Sequence, residues 1–258
     1  MTEQTLGLDR PDDPPAIRIG DVLGRSLRLY ARPFAIYVAL TAVLILPADL
    51  IGRAVVERDD DGTPVLNPHQ MPWVGQTSIE LELLVLGPTA QALVQAWAFP
   101  RLSTGRSGLR QAIRRVVRRW PAVMATTFCY YLFVMIGWAT LAFPGVIIAV
   151  WTMVAAPACL LEDLGPIAAF RRSLALTRGN RWRIFGLYLA CAVPLLLAEG
   201  AASVAAEQLA GPDIADFVDV VLRAATTAFF AVLTLVLYHT LRIAHHGIGA
   251  EQIAAVFD

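Results

Sequence analysis

Apolar and polar residues in this chain fall into long blocks, and the apolar blocks have nearly the width of a bilayer. A hydrocarbon core about 30 Å thick requires roughly 20 apolar residues of a helix. Six stretches approach that length: Phe34 to Leu50, Ile79 to Phe99, Ala122 to Leu141, Pro144 to Leu161, Ile184 to Ser203 and Val218 to Leu241. The expected fold is all-α, a polytopic integral membrane protein of six transmembrane helices. Residues 1–16 are expected as a disordered tail, 17–243 as the six-helix membrane domain and 244–258 as a short cytoplasmic tail.

Between these blocks the polar segments carry a helical period of their own. Ile19, Val22, Leu23, Leu27 and Tyr30 form one apolar stripe. Leu109, Ile113, Val116, Val117 and Trp120 form a second, after Ser107 as N-cap. Ile167, Phe170 and Leu174 form a third, after Pro166 at a helix start. Arginines occupy the opposite faces, so three amphipathic helices are expected to lie in the cytoplasmic interface. Arg25-Ser26-Leu27-x-Leu29 recurs as Arg172-Ser173-Leu174-x-Leu176. This suggests three units, each an interfacial helix and a hairpin of two spans, although any interfacial helix ahead of a span would look alike.

Charge orients the blocks. The chain has 258 residues, is 57% apolar and 16% charged, and has a mean hydropathy of +0.57, against about 25% charged in soluble domains. Its net charge is zero, and all 21 basic residues are arginine. Chemistry that needs a P-loop, Schiff-base or PLP lysine is thereby excluded. Eighteen of the 21 arginines fall in segments that six spans place on one side, which positive-inside asymmetry makes cytoplasmic, along with both termini. The opening residues, with Asp9, Asp12, Asp13, Pro14 and Pro15 and no early apolar run, are not expected to be a cleavable signal. Cys129, Cys159 and Cys191 all lie in apolar runs and read as small buried hydrophobes.

Several motifs together resemble a known family. The chain opens with Ile19-Gly20-Asp21-Val22-Leu23 and Arg25-Ser26-Leu27-Arg28-Leu29-Tyr30, and later carries Phe143-Pro144-Gly145. Ala156-Pro157-Ala158-Cys159-Leu160-Leu161-Glu162 leads to Gly165-Pro166, then to the run Ala169-Phe170-Arg171-Arg172-Ser173-Leu174-Ala175-Leu176-Thr177-Arg178-Gly179-Asn180-Arg181-Trp182-Arg183-Ile184-Phe185-Gly186. Leu237-Tyr238-His239-Thr240-Leu241-Arg242 closes the match. Over residues 17 to 243 the chain resembles the membrane domain associated with glycerophosphoryl diester phosphodiesterases, including YciC-like integral membrane proteins. The resemblance implies a six-helix protein of the bacterial inner membrane. The catalytic barrel of such phosphodiesterases has no counterpart here, since there is no His-Arg-Gly triplet and no room outside the spans for about 250 residues.

Candidate chemistry is sparse. His69, His239, His245 and His246 show no metal-ligand spacing, and no nucleophile elbow or dinucleotide fingerprint occurs. No cofactor, metal or catalytic residue is therefore expected, and Asp59-Asp60-Asp61-Gly62 reads as a solvated turn. Between Pro100 and Ile184, 12 arginines face only two acids, Glu162 and Asp163. Topology alone accounts for such charge; the sharper reading is recognition of anionic lipid or of a membrane protein partner. The residues singled out for it are Arg114, Arg115, Arg171, Arg172, Arg178, Arg181 and Trp182. Glu162 is placed to pair with Arg171, Arg172 or Arg242. Nucleic acid is not an expected partner, because the arginines alternate with a membrane-seeking face.

Asp49, Glu80, Glu82, Glu199, Asp219 and Arg223 fall near the outer ends of spans. Snorkelling and capping, including a Thr77-x-x-Glu80 box, are one reading; an ion pair between Glu199 and Arg223 is the other. Pro88, Pro157 and Pro194 lie within spans and favour kinks. The expected function is non-catalytic lipid binding or assembly, and the alternative is a small-molecule or lipid transporter with a pathway between the kinked helices.

Overall fold

A computed structural model describes residues 17–55, 57–58, 64–65, 82–103, 108–140 and 142–257. Helices α1 (Ile19–Ala31) and α2 (Phe34–Val55) precede a minimal antiparallel pair, β1 (Glu57–Arg58) with β2 (Pro64–Val65). A π-helical turn, Glu82–Leu86, leads into α3 (Gly87–Ser103). Then come α4 (Leu109–Thr140), α5 (Ala142–Thr152), α6 (Ala155–Leu161), α7 (Pro166–Thr177), α8 (Arg181–Ala210) and α9 (Pro212–Phe257). The tail 1–16, the run Asp59–Gly62, His69, the Thr77–Glu80 box and Ser107 lie outside the described residues.

Local chemistry sets the ends of these helices. Pro33 cannot continue α1, and the chain bends by 80° into α2. Pro166 takes the first position of α7 after extended Gly165. Gly211, at φ +87°, closes α8 by donating its N–H to Glu207 O at 3.2 Å, and Pro212 starts α9.

Helix α9 is the axis of the molecule. It packs against α1, α2, α3, α6, α7 and α8. Its small residues Ala224, Ala228 and Ala231 let neighbours approach, while Leu233, Leu235, Leu237 and Leu241 fill the space between them. Hydrogen bonds stitch other helices to it. Tyr30 donates to Ala225 O at 2.8 Å, Tyr188 and Thr234 share a bond of 2.5 Å, Thr226 donates to Glu199, and Ser203 donates to Asp219. Of its most apolar stretch 56% is buried, against 22% for α4 and 17% for α8. On α4 and α8 a long apolar surface is therefore left uncovered by protein, including Phe128, Met135, Ile136, Leu196 and Leu197.

Three helices, α4, α8 and α9, are long and apolar enough to cross a membrane, and the bent pair α1–α2 makes a fourth if it counts as one span. The helices differ from the six expected blocks for identifiable reasons. The second amphipathic helix and the third block fuse into α4, because Pro121 falls at the junction without breaking the helix. The fourth block splits into α5 and α6: Pro157 has no N–H to give Met153 O, and the chain turns at Met153 and Val154. The segment expected as a C-terminal tail continues α9 to Phe257. On α1 the buried line is Val22 and Ser26, while Ile19 and Leu27 of the expected stripe are exposed.

Candidate functional site

Two adjacent carboxylates at the end of α6 organise the arginine-rich end of the fold. Glu162 caps α6, and Asp163 adopts φ +57°, a left-handed conformation that a short polar side chain tolerates. The reversal aims the two acids at different helices. Glu162 accepts from Tyr238 Oη of α9 at 2.6 Å and from Arg172 Nε of α7 at 3.1 Å, with Arg242 Nε of α9 at 3.6 Å. Asp163 accepts from Arg119 Nε of α4 at 2.5 Å, with Arg118 Nη2 at 3.6 Å. One dipeptide thus ties α4, α7 and α9 to α6.

Burial pushes the Glu162 carboxyl upward, but hydrogen bonds from Tyr238 and Arg172, with the charges of Arg172 and Arg242, outweigh it. Its carboxyl is held below the ordinary range, so Glu162 stays ionised.

The break between α5 and α6 is satisfied from α7. Trp151 O accepts from Ser173 Oγ at 2.7 Å and lies 3.5 Å from Thr177 Oγ1. The Arg181 guanidinium sits 3.9 Å from the centroid of the Trp151 ring. At the turn before α8, buried Asn180 accepts from the backbone N–H of Ile17 at 3.1 Å, which fixes the start of the described chain there.

Residues 121–241 are similar to a domain of unknown function (DUF7847). Nothing among curated proteins or solved structures matches the chain. The similar segment holds the α5–α6 break, both acids, Arg172 and Tyr238, and ends one residue before Arg242.

The residues singled out from sequence separate into two groups. Arg172 and Arg181 turn inward, to Glu162 and Trp151, and so are taken up by packing rather than presented at the surface. Arg114, Arg171, Arg178 and Trp182 are exposed, Trp182 by 72%, and Arg115 is half-buried. Glu199 and Arg223 do not pair with each other: Glu199 accepts from Thr226 one turn beyond Arg223 on α9, and Arg223 reaches Glu82 at 3.0 Å. Glu82 is the first residue of the π-helical turn. Side chains at Asp49 and Glu80 lie outside the described residues. His245 meets Ala175 O of α7 at 3.0 Å, and no cluster among the described residues has metal-ligand geometry.

Asp163, Arg118, Arg119, Tyr238 and Trp151 were not singled out beforehand. The signal available for the first was its place beside Glu162 among 12 arginines. Arg110 also gains weight. Arg110, Arg114 and Arg118 follow one another every four residues on α4 and are all exposed, and Leu109, Ile113 and Val117 form an equally exposed apolar line one position away.

Proposed function

We propose that this chain is an integral, non-catalytic membrane protein that binds anionic lipid at its arginine-rich end. The observation that carries the reading is the pair of uncovered stripes on α4: apolar Leu109, Ile113 and Val117 beside cationic Arg110, Arg114 and Arg118. A helix with those two lines side by side sinks its apolar edge at the acyl boundary and sends its guanidinium groups to the headgroups. Arg171 and Arg178, which pair with no acid among the described residues, extend the cationic surface. Each arginine near an anionic surface contributes about 1 kcal/mol.

The uncovered apolar surface of α4 and α8 supports a lipid surround, since soluble monomers rarely expose such patches. In this reading the six apolar blocks all enter the bilayer, α5–α6 as one broken span and α1–α2 as a bent entry, with both termini on the cytoplasmic side. The resemblance to the membrane domain associated with glycerophosphoryl diester phosphodiesterases agrees with it. Adhesion between helices in lipid rests on close packing and hydrogen bonds, which matches the Tyr188–Thr234 and Thr226–Glu199 contacts along α9.

The test is native mass spectrometry of the protein extracted from its membrane in mild detergent, beside an Arg110→Glu/Arg114→Glu/Arg171→Glu variant. The parent protein is expected to retain anionic lipid and the folded variant to lose it. Equal retention by both overturns the reading, and a retained polypeptide with no lipid redirects it to a protein partner.

A further inference from the structure

A cavity of about 530 Å³ lies between α3, α4, the α5–α6 break, α8 and α9. Its size is that of a small-molecule site, and no charged side chain lines it. No charged side chain on the wall replaces the hydration that an ion would lose on entering, which favours an uncharged occupant.

The polar groups on its walls divide by what they have left to offer. Thr126 and Thr152 donate to Ala122 O at 2.8 Å and Ile148 O at 2.6 Å, and so present only oxygen lone pairs. Gln91, Tyr130 and Tyr131 make no side-chain hydrogen bond to any described residue, so their N–H and O–H donors remain unused. The ligand therefore brings carbonyl oxygens for those donors and a hydroxyl for the threonines. Gln95, Tyr188, Thr226 and Thr234 also line the cavity with their side chains engaged by other residues, Thr127 and Thr227 add two further hydroxyls, and the remaining wall is aliphatic and aromatic and accepts an apolar body.

Helices α4 and α8 both line the cavity and scarcely touch each other, while α5 packs against both. Trp138 of α4 lines it and is more than half exposed. Both helices carry the apolar faces that are read above as facing lipid, and on that part of the reading the inference rests.

We propose that the cavity binds an uncharged ester-bearing lipid alcohol, of the diacylglycerol class, which enters between α4 and α8. Esters supply the carbonyls, the free glycerol hydroxyl supplies the donor, and the acyl chains leave between those two helices.

The test is saturable binding of radiolabelled dioctanoylglycerol to the full chain in lipid nanodiscs. One site per chain is expected, weakened roughly tenfold by Ala192→Phe, which fills the cavity, and by Gln91→Leu with Tyr131→Phe, which removes donors with little change of shape. Dioctanoyl phosphatidic acid is expected not to compete. The Arg110→Glu/Arg114→Glu/Arg171→Glu variant is expected to bind the probe as the parent does, which keeps failure here distinct from failure of the anionic-lipid reading. No saturable binding, binding unchanged in folded examples of both cavity variants, or equal competition by phosphatidic acid overturns the proposal.

Discussion

Tyr238 donates its phenolic hydrogen to Glu162 at 2.6 Å, across 76 positions of sequence, and joins the buried axis helix to the end of the broken one. The same carboxylate takes Arg172 at 3.1 Å. A single acid therefore fixes where the amphipathic helix α7 leaves the bundle, and with it the placement of the exposed arginines that follow.

Removing that acceptor leaves one phenol and two guanidinium groups without it. Glu162→Ala is expected to destabilise the protein by about 2–4 kcal/mol, below the full cost of breaking a buried pair because the arginines are partly solvated. Tyr238→Phe is expected to cost about 1–2 kcal/mol. Reversible unfolding in mixed micelles measures both.

Glu162 also gives stability a pH dependence. Its folded carboxyl titrates below the ordinary value of 4.5, so its contribution is complete above that value and is lost as pH falls through the lower folded one. The stability difference between the protein and Glu162→Gln is expected to be constant near neutrality and to shrink on acidification below 4.5. Thermal melts of both at stepped pH check it; a gap that widens in acid contradicts the assignment.

Helices α4 and α5 cross at two glycines. A Cβ at Gly137 would stand 2.6 Å from Gly145 Cα, closer than carbon atoms approach without displacement. Gly137→Val is expected to cost about 1–3 kcal/mol by overpacking. Gly186→Ala, where nothing lies within 4 Å of the new Cβ, is expected to be neutral or stabilising by about 0.5–1 kcal/mol. Melting temperatures of the two variants in one detergent separate them.

Gly211 carries the turn between α8 and α9 at φ +87° and ψ 172°, a conformation nearly restricted to glycine. Gly211→Ala is expected to cost about 1–3 kcal/mol although space is open around it. Faster proteolysis at this turn, with the helices retained by circular dichroism, is the outcome to look for.

The sequence by itself determined the all-helical class, the apolar helices of membrane length, the clustering of arginine and the scarcity of acids against it. Those follow from composition and period, which are properties of consecutive residues. Pro166 was equally legible as a helix start, because its backbone restriction acts locally, whereas the stops at Pro33 and Gly211 emerged only with the structure. The tertiary structure alone decided which arginines turn inward and which stay free. Arg171 and Arg172 are neighbours in sequence, yet about 100° of helical rotation gives Arg172 to Glu162 and leaves Arg171 exposed. It also replaced the Glu199–Arg223 pair by Glu199 with Thr226 and Glu82 with Arg223, contacts between elements that spacing along one helix does not encode. The cavity is likewise invisible in one dimension: its unused donors come from α3 and α4 and the rest of its wall from α5, α6, α8 and α9, and only packing brings them together.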